Sequence, residues 1–223
     1  MDNTNFRIQD FQKFILPGTV ILGILIFLYF QNTNISEFVM KYKDFTAPLI
    51  LIFLILSYFI GYFIDYMGSL FEFFYYCCFE KPSFKLINNT SKCKLSNREK
   101  ILEFICDKMR CNTTQSTIDY NIESASEIFK FANVLKDRSS SSVSKERLME
   151  YYFLKIFSRN LFTACFTSIF ILIFSIVLNS SVSKYSVLIG MIILMTLSFF
   201  RWKTHAFYYS RQVFYVASED MRW

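Results

Sequence analysis

The chain has 223 residues, of which 53% are hydrophobic and 20% aromatic, and it carries a formal net charge of +6. A soluble domain of this length does not need so apolar a composition. Its 28 Phe residues also recur in several long runs rather than in one compact stretch. The composition therefore argues against an ordinary soluble protein and favours a membrane protein.

Residues 1–15 are mildly amphipathic, and a bulky apolar segment from Ile15 to Phe30 follows them. We interpret this segment as an uncleaved first membrane span, because no small-residue cleavage site comes after it. Pro17 lies near its start, where the missing N–H does no harm to a helix.

The longest apolar segment runs from Pro48 to Phe79 and contains two acids, Asp65 and Glu72. About 20 helical residues cross a bilayer core, so this segment exceeds one straight crossing. We predict a second span that continues as an aromatic amphipathic helix and bends or tilts near Gly61 and Gly68. The two acids share one helical face. They either pair with Lys or Arg at the cytoplasmic interface or act at the mouth of a pore.

Residues 81–158 are polar and charged, and their apolar positions recur at helical spacing. A capping box that starts at Ser96 predicts a helix through Met109. A second helix is predicted over residues 118–136, and a third begins at Ser144 and runs unbroken into the next span. This insert is too small for a large independent core.

Two further apolar segments, Leu161 to Leu178 and Tyr185 to Phe200, are separated by a tight polar turn and predict an antiparallel hairpin of spans 3 and 4. The tail after Phe200 mixes basic and aromatic residues, which is typical of a helix along or just below a membrane surface.

The sequence thus predicts an all-α protein, with four transmembrane spans and a helical cytosolic insert between spans 2 and 3. Its three parts are residues 1–80 with spans 1 and 2, residues 81–158 with the insert, and residues 159–223 with the hairpin and the amphipathic tail.

The distribution of basic residues predicts the orientation. Of the 24 Lys and Arg residues, 21 lie in the N-terminal tail, the insert and the C-terminal tail, and three lie in the two short loops. Because basic residues flank spans on the cytoplasmic side, both termini are predicted to be cytoplasmic. The predicted location is the inner (plasma) membrane of a bacterium.

Span 3 is the most informative of the four spans, because a discontinuous polar stripe follows one of its faces. Its members are Asn160, Thr163, Thr167 and Ser175, with Ile171 in the gap and Arg159 at the cytoplasmic end. The predicted channel or gating residues are Asp65 and Glu72 together with Arg159, Asn160, Thr163, Thr167, Ile171 and Ser175. The hydroxyls either bond back to their own helix or line a wet path in which Ile171 is an apolar constriction.

Small residues four positions apart occur in every span and favour close helix packing, either within one chain or between subunits. The pairs are Thr19 with Gly23, Ser57 with Gly61, Thr163 with Thr167, and Ser186 with Gly190.

The insert is basic, with 15 Lys and Arg against nine Asp and Glu in residues 81–159. This excess is either the ordinary positive-inside bias or a site for lipid headgroups or a nucleotide or oligonucleotide phosphate. The predicted ligand-binding residues are Lys92, Lys94, Arg98, Lys100, Lys108 and Arg110.

Enzyme chemistry has little support in the sequence. The one histidine, His205, has no acid or cysteine at ligand spacing, and no hydrolase, nucleotide-loop or metal motif is present. The six cysteines lack metal spacing and are predicted to be reduced thiols. We therefore predict no catalytic residue, no metal site and no cofactor.

The four spans, the basic insert and the segment YYFLKIFSRNLF that leads into span 3 form a layout that resembles one known class. It is similar to the small multi-pass membrane effectors of bacterial anti-phage systems of the Hailong, CBASS and retron types. The resemblance implies an oligomeric channel that stays closed until infection changes a nucleotide signal and then depolarises the host membrane.

Two functional hypotheses follow. The first is a homo-oligomeric channel or pore-forming effector, regulated by a nucleotide signal or a cytosolic regulatory protein. The second is a membrane adaptor or structural protein that docks a soluble partner through residues 85–150.

Overall fold

The computed structural model describes residues 11–31, 45–90, 95–109, 122–138 and 142–219. A π-helical turn, Phe11–Ile15, leads into the first α-helix. The helices are α1 (Leu16–Phe30), α2 (Thr46–Cys78), α3 (Pro82–Ile87), α4 (Arg98–Lys108), α5 (Ile122–Arg138), α6 (Ser142–Leu178) and α7 (Val182–Ala217). Within these residues no strand occurs, and the predicted all-helical fold is confirmed.

Within the described ranges, four helices are long and apolar enough to cross a membrane. They are α1 with the residues before it from Lys13, α2, α6 and α7. Large apolar side chains remain exposed along them, including Phe59 at 66% and Phe174 at 66% of their surface. Because water would solvate such surfaces poorly, the long helices indicate a multi-pass membrane protein in a lipid bilayer.

The chain divides into two compact units. Unit 1 consists of Met1–Phe74 and Ile156–Trp202, and unit 2 consists of Tyr75–Lys155 and Lys203–Trp223. Unit 1 contains α1, α2 as far as Phe74, α6 from Ile156 onward and α7 as far as Trp202. Unit 2 contains α3, α4, α5 and the polar ends of the long helices.

In unit 1, α1 and α2 approach each other so closely that only glycine fits at two positions. A Cβ atom on Gly18 would lie 1.8 Å from the carbonyl oxygen of Ser57, and one on Gly61 would lie 1.8 Å from that of Phe14. Both distances are far below van der Waals contact. Helix α2 is uninterrupted, and Gly61 admits a neighbouring backbone; the bend or tilt predicted near this residue stays a prediction.

Among the residues that the structure describes, two of the other small-residue pairs make no such close contact. Thr19 donates to the carbonyl of Leu16, and Ser186 donates to that of Val182. A Cβ atom on Gly23 or on Gly190 would meet nothing within 4 Å. A subunit interface at these two positions stays a prediction.

Unit 2 has its own hydrophobic core, to which the C-terminal tail contributes. Val213 and Phe214 of α7 are fully buried there, beside Ile101 and Ile105 of α4 and Ala132 of α5. These two side chains of the tail pack against the insert, and the predicted position of the tail along or just below a membrane surface stays a prediction. The insert therefore has a larger core than its own length provides.

The predicted helix caps of unit 2 are wrong. Helix α4 begins after Asn97, which has a left-handed backbone and makes no side-chain capping bond. Ser96 instead donates its backbone N–H to the hydroxyl of Tyr215 at 3.1 Å. Helix α6 begins at Ser142 rather than Ser144, and the hydroxyl of Ser144 donates to Glu219 at 2.8 Å. The predicted continuous helix into span 3 is nevertheless present.

The turn between α6 and α7 is closed by Lys184. Its ammonium group donates to the carbonyl of Ser175 at 3.1 Å and to that of Asn179 at 2.7 Å, and the residue is 6% exposed. The last carbonyls of a helix lack intrahelical donors and carry partial negative charge. Lys184 therefore caps α6 from the next helix.

Candidate functional site

Helices α2 and α6 are joined in unit 1 by one arginine that binds two acids. Nη2 of Arg159 donates to Oδ1 of Asp65 at 2.6 Å, and Nη1 donates to Oε2 of Glu72 at 2.9 Å. Because the acids lie seven residues apart, two helical turns separate them on one face of α2. The planar guanidinium carries donors at both of its ends, which lets a single side chain reach both carboxylates.

Asn160 and Lys13 complete this group. The amide nitrogen of Asn160 donates to Oδ1 of Asp65 at 2.9 Å and to the backbone carbonyl of Lys13 at 3.2 Å. The ammonium of Lys13 lies 3.6 Å from Oδ2 of Asp65. We call Lys13, Asp65, Glu72, Arg159 and Asn160 the charge network. Its two basic and two acidic side chains balance, and it ties the segment before α1 to α2 and α6.

Gly68 makes room for the arginine. It lies one turn after Asp65 on the same face, and a Cβ atom there would approach Nε of Arg159 and Oδ1 of Asn160 to 3.1 Å each. Any side chain larger than hydrogen would crowd the guanidinium. Gly68 therefore serves the fit of the charge network, and the bend or tilt that the sequence predicts near it stays a prediction.

The charge network is largely removed from solvent. Arg159 is 6% exposed and Asn160 is fully buried, while the side chains of Asp65 and Glu72 are 22% and 16% exposed. Burying an unpaired charge is very unfavourable, so each charge here depends on its partners. Of the two interpretations of the acids, the contacts within the chain favour pairing with Arg and Lys.

The hydroxyls of span 3 bond to their own helix. Thr163 donates to the carbonyl of Arg159 at 3.0 Å, and Thr167 donates to that of Thr163 at 2.9 Å. Ile171 packs against the apolar residues around Ile24 and Ile64, and the carbonyl of Ser175 accepts from Lys184. The two threonine hydroxyls are therefore satisfied within α6 while Ile171 packs against other helices, so a path along this face would require the helices to separate.

The predicted ligand-binding residues are only partly brought together. Arg98 and Lys100 line one shallow depression in unit 2, and Lys108 does not. Nε of Arg98 also donates to the carbonyl of Ile87, at the end of α3. Lys108 lies over the ring of Phe104, with its nitrogen 5.6 Å from the ring centre. The other predicted members, Lys92, Lys94 and Arg110, lie outside the described residues.

Metal chemistry has no site in the part of the chain that the structure describes. No group of three or more His, Cys, Asp or Glu residues there could hold an ion. Cys106 and Cys165 are buried free thiols, while Cys77 and Cys78 are exposed at the end of α2.

Two members of the site were not predicted. Lys13 lies before span 1, and its role depends on the N-terminal segment passing next to α2. Gly68 was noticed, but its partner lies on another helix. Asp65, Gly68 and Glu72 share one face of α2, and this spacing was the sequence signal that could have indicated a role for Gly68.

These features define a class, a multi-pass helical membrane protein whose long helices are joined by a buried network of paired charges. Comparison with known proteins adds no narrower assignment, because no family model, curated protein or solved structure matches the chain.

Proposed function

We propose that the chain is the subunit of a homo-oligomeric channel or pore-forming effector in a bacterial inner membrane, with four spans, cytoplasmic termini and residues 81–158 in the cytosol. The four long apolar helices and the concentration of basic residues in the tails and the insert support this arrangement. Its proposed role is anti-phage defence by loss of membrane integrity or potential, which the resemblance in layout suggests. The proposal includes no catalytic activity and no cofactor.

The observation that carries the proposal is that Arg159 holds both Asp65 and Glu72 in a buried, charge-balanced group. In this closed state four of the predicted lining residues, Asp65, Glu72, Arg159 and Asn160, form hydrogen bonds with one another. Parting α6 from α2 would release two carboxylates and one guanidinium together, and these groups would attract water into the gap. The charge network is therefore proposed as the latch of the closed channel.

Such a latch suits regulation from the cytosol. Helix α6 is continuous from Ser142 to Leu178, so it includes residues of unit 2 and the latch residue Arg159. A signal that binds the residues of unit 2 and moves this helix would act on the charge network directly. The differential binding energy of the signal must exceed the free energy that keeps the latch closed.

The test measures membrane potential and dye leakage in cells that express single variants. Arg159→Lys keeps one charge but cannot span both acids, and we expect depolarisation without any infection signal. Glu150→Ala changes an exposed acid of the same helix and is the matched control. Membrane insertion of each variant is checked by fractionation. Normal potential with correctly inserted Arg159→Lys would count against the latch.

A second function, a membrane adaptor, is favoured by the separate core of unit 2. Exposed apolar side chains on that unit, Val134, Val143 and Met149, offer contact area for a soluble partner. If this function is correct, Glu substitutions at these positions abolish recruitment of the partner, and variants of the charge network leave the membrane potential unchanged. The two readouts separate the two functions.

A further inference from the structure

Unit 2 contains a cavity of about 560 Å³ between the end of α2, the start of α3 and one face of α5. This volume lies within the range of small-molecule sites. The cavity shares no residue with the charge network, and it is distinct from the depression at Arg98 and Lys100. We propose that it binds the headgroup of an amphiphile that carries a primary ammonium group next to a phosphate, with phosphatidylethanolamine as the membrane source.

One wall of the cavity is aromatic. Tyr76, Phe79 and Phe84 line it, and Tyr76 belongs to the end of the long apolar helix α2. Aromatic rings at the end of a span suit the boundary between acyl chains and headgroups. Their faces also attract a cationic headgroup. This wall fits the glycerol and ammonium region of a lipid better than a purely polar solute.

The cavity presents charges of both signs. Glu80 is paired with Lys85, with 3.9 Å between its Oε2 and the ammonium nitrogen. The other charged groups of the lining are two carboxylates, of Glu123 and Glu127, and two ammonium groups, of Lys81 and Lys130. A simple anion would therefore meet two carboxylates as well as two ammonium groups. A ligand with both an ammonium and a phosphate group matches both signs.

The acids of α5 have no other described function. Glu123 and Glu127 are exposed, lie one turn apart on one helical face, and form no ion pair with any residue that the structure describes. Like charges at this spacing destabilise a helix. A primary ammonium group has three N–H donors and can bond to both carboxylates, which would offset this repulsion.

The side chain of Ser83 provides a donor for the phosphate end of the ligand. Ser83 lines the cavity, is 7% exposed as a residue, and has no side-chain hydrogen bond within the described ranges. Its O–H can donate to a phosphate oxygen, beside the ammonium groups of Lys81 and Lys130. The cavity thus presents donors for phosphate, acceptors for ammonium and an aromatic wall.

The cavity contains its own reporters, because Cys77 and Cys78 line it and are exposed. The experiment uses full-length protein in which Cys93 and Cys111 are replaced by Ser. The buried Cys106 and Cys165 are expected to react slowly with a maleimide. The protein is reconstituted in phosphatidylcholine vesicles, and in vesicles in which part of that lipid is replaced by phosphatidylethanolamine or by phosphatidylglycerol.

We expect phosphatidylethanolamine to slow labelling of the two thiols and phosphatidylglycerol to leave it unchanged. Soluble phosphoethanolamine, added to the protein in detergent, distinguishes the sources. Protection by it means that the headgroup suffices, and no protection means that the ligand must be the membrane lipid. Equal labelling in all three vesicles, or protection by phosphatidylglycerol alone, would overturn the proposal.

Variants test the assigned contacts. Ser83→Ala and the double variant Glu123→Gln, Glu127→Gln should each raise the phosphatidylethanolamine fraction needed for half protection by about tenfold. Glu103→Gln, an exposed acid of α4 outside the cavity, is the matched control and should change nothing. If the variants and the control protect equally, the proposed contacts are wrong. Because the readout is thiol labelling, its failure would leave the proposed channel function untouched.

Discussion

Replacing Arg159 by Met tests the energetic reasoning about the charge network most directly. The substitution keeps an apolar stem and removes the donors to Asp65 and Glu72, at 2.6 and 2.9 Å. One ammonium, on Lys13, then faces two carboxylates whose side chains are 22% and 16% exposed. Removing one partner of a buried ion pair costs about 3–5 kcal/mol. For a chain of this size the midpoint of thermal unfolding should fall by roughly 10 °C.

The assay follows the reactivity of a single thiol during heating in detergent. Cys165 of α6 is fully buried in unit 1, so it reacts with a thiol-specific fluorophore only when α6 loses its packing. The other five cysteines are replaced by Ala in every variant. Unfolding midpoints are then compared between the parent chain and Arg159→Met.

The control restores charge balance without restoring the arginine. In the double variant Glu72→Gln, Arg159→Met, the ammonium of Lys13 still lies 3.6 Å from the carboxylate of Asp65 and no charge is in excess, so we expect most of the lost stability to return. A shift below about 0.5 kcal/mol in Arg159→Met, typical of a surface substitution, would refute the reasoning. So would a double variant that is no more stable than the single one.

Three further predictions concern packing and capping. Gly61→Ala should separate α1 from α2 and strongly destabilise unit 1, because its Cβ would lie 1.8 Å from the carbonyl oxygen of Phe14. In the same thermal assay Gly190→Ala should be neutral or stabilising by about 0.5–1 kcal/mol, because its Cβ would meet no described atom within 4 Å. Phe214→Ala should destabilise unit 2 by about 3–5 kcal/mol because it leaves a cavity in the core, and Val134→Ala, on an exposed position of α5, should have little effect when amide hydrogen exchange in unit 2 is measured. Lys184→Met should cost about 1–2 kcal/mol and speed amide exchange in the last turn of α6, since two carbonyl contacts are lost; unchanged exchange there would contradict its capping role.

The long helices could be predicted from the sequence because their cause is local. An apolar run of sufficient length leaves its backbone groups only one way to be satisfied in lipid, which is to bond to each other. The observed bounds of α1, Leu16–Phe30, therefore agree closely with a segment read from Ile15 to Phe30. The continuous helix from the insert into span 3 was also predictable from local sequence, since no Gly or Pro interrupts it.

The charge network could be predicted only in its parts. Asp65 and Glu72 were placed on one face, and Arg159 was recognised at the end of the polar stripe, but 94 residues separate Asp65 from Arg159. Their pairing depends on how α2 and α6 pack, which local spacing does not determine. Ser96 shows the same limit, because its backbone N–H is bound by Tyr215, 119 residues away, and no local capping rule includes that partner.

Unit 2 is built from two separate stretches, Tyr75–Lys155 and Lys203–Trp223. This has a consequence for any shortened version of the chain. A stop codon placed after Trp202 would delete Val213 and Phe214, which are fully buried beside α4 and α5, and would leave the middle of the chain with an open core. Genetic exchange of the insert alone would have the same defect. Recombination can transfer this unit between proteins only if the codons for Lys203–Trp223 travel with it.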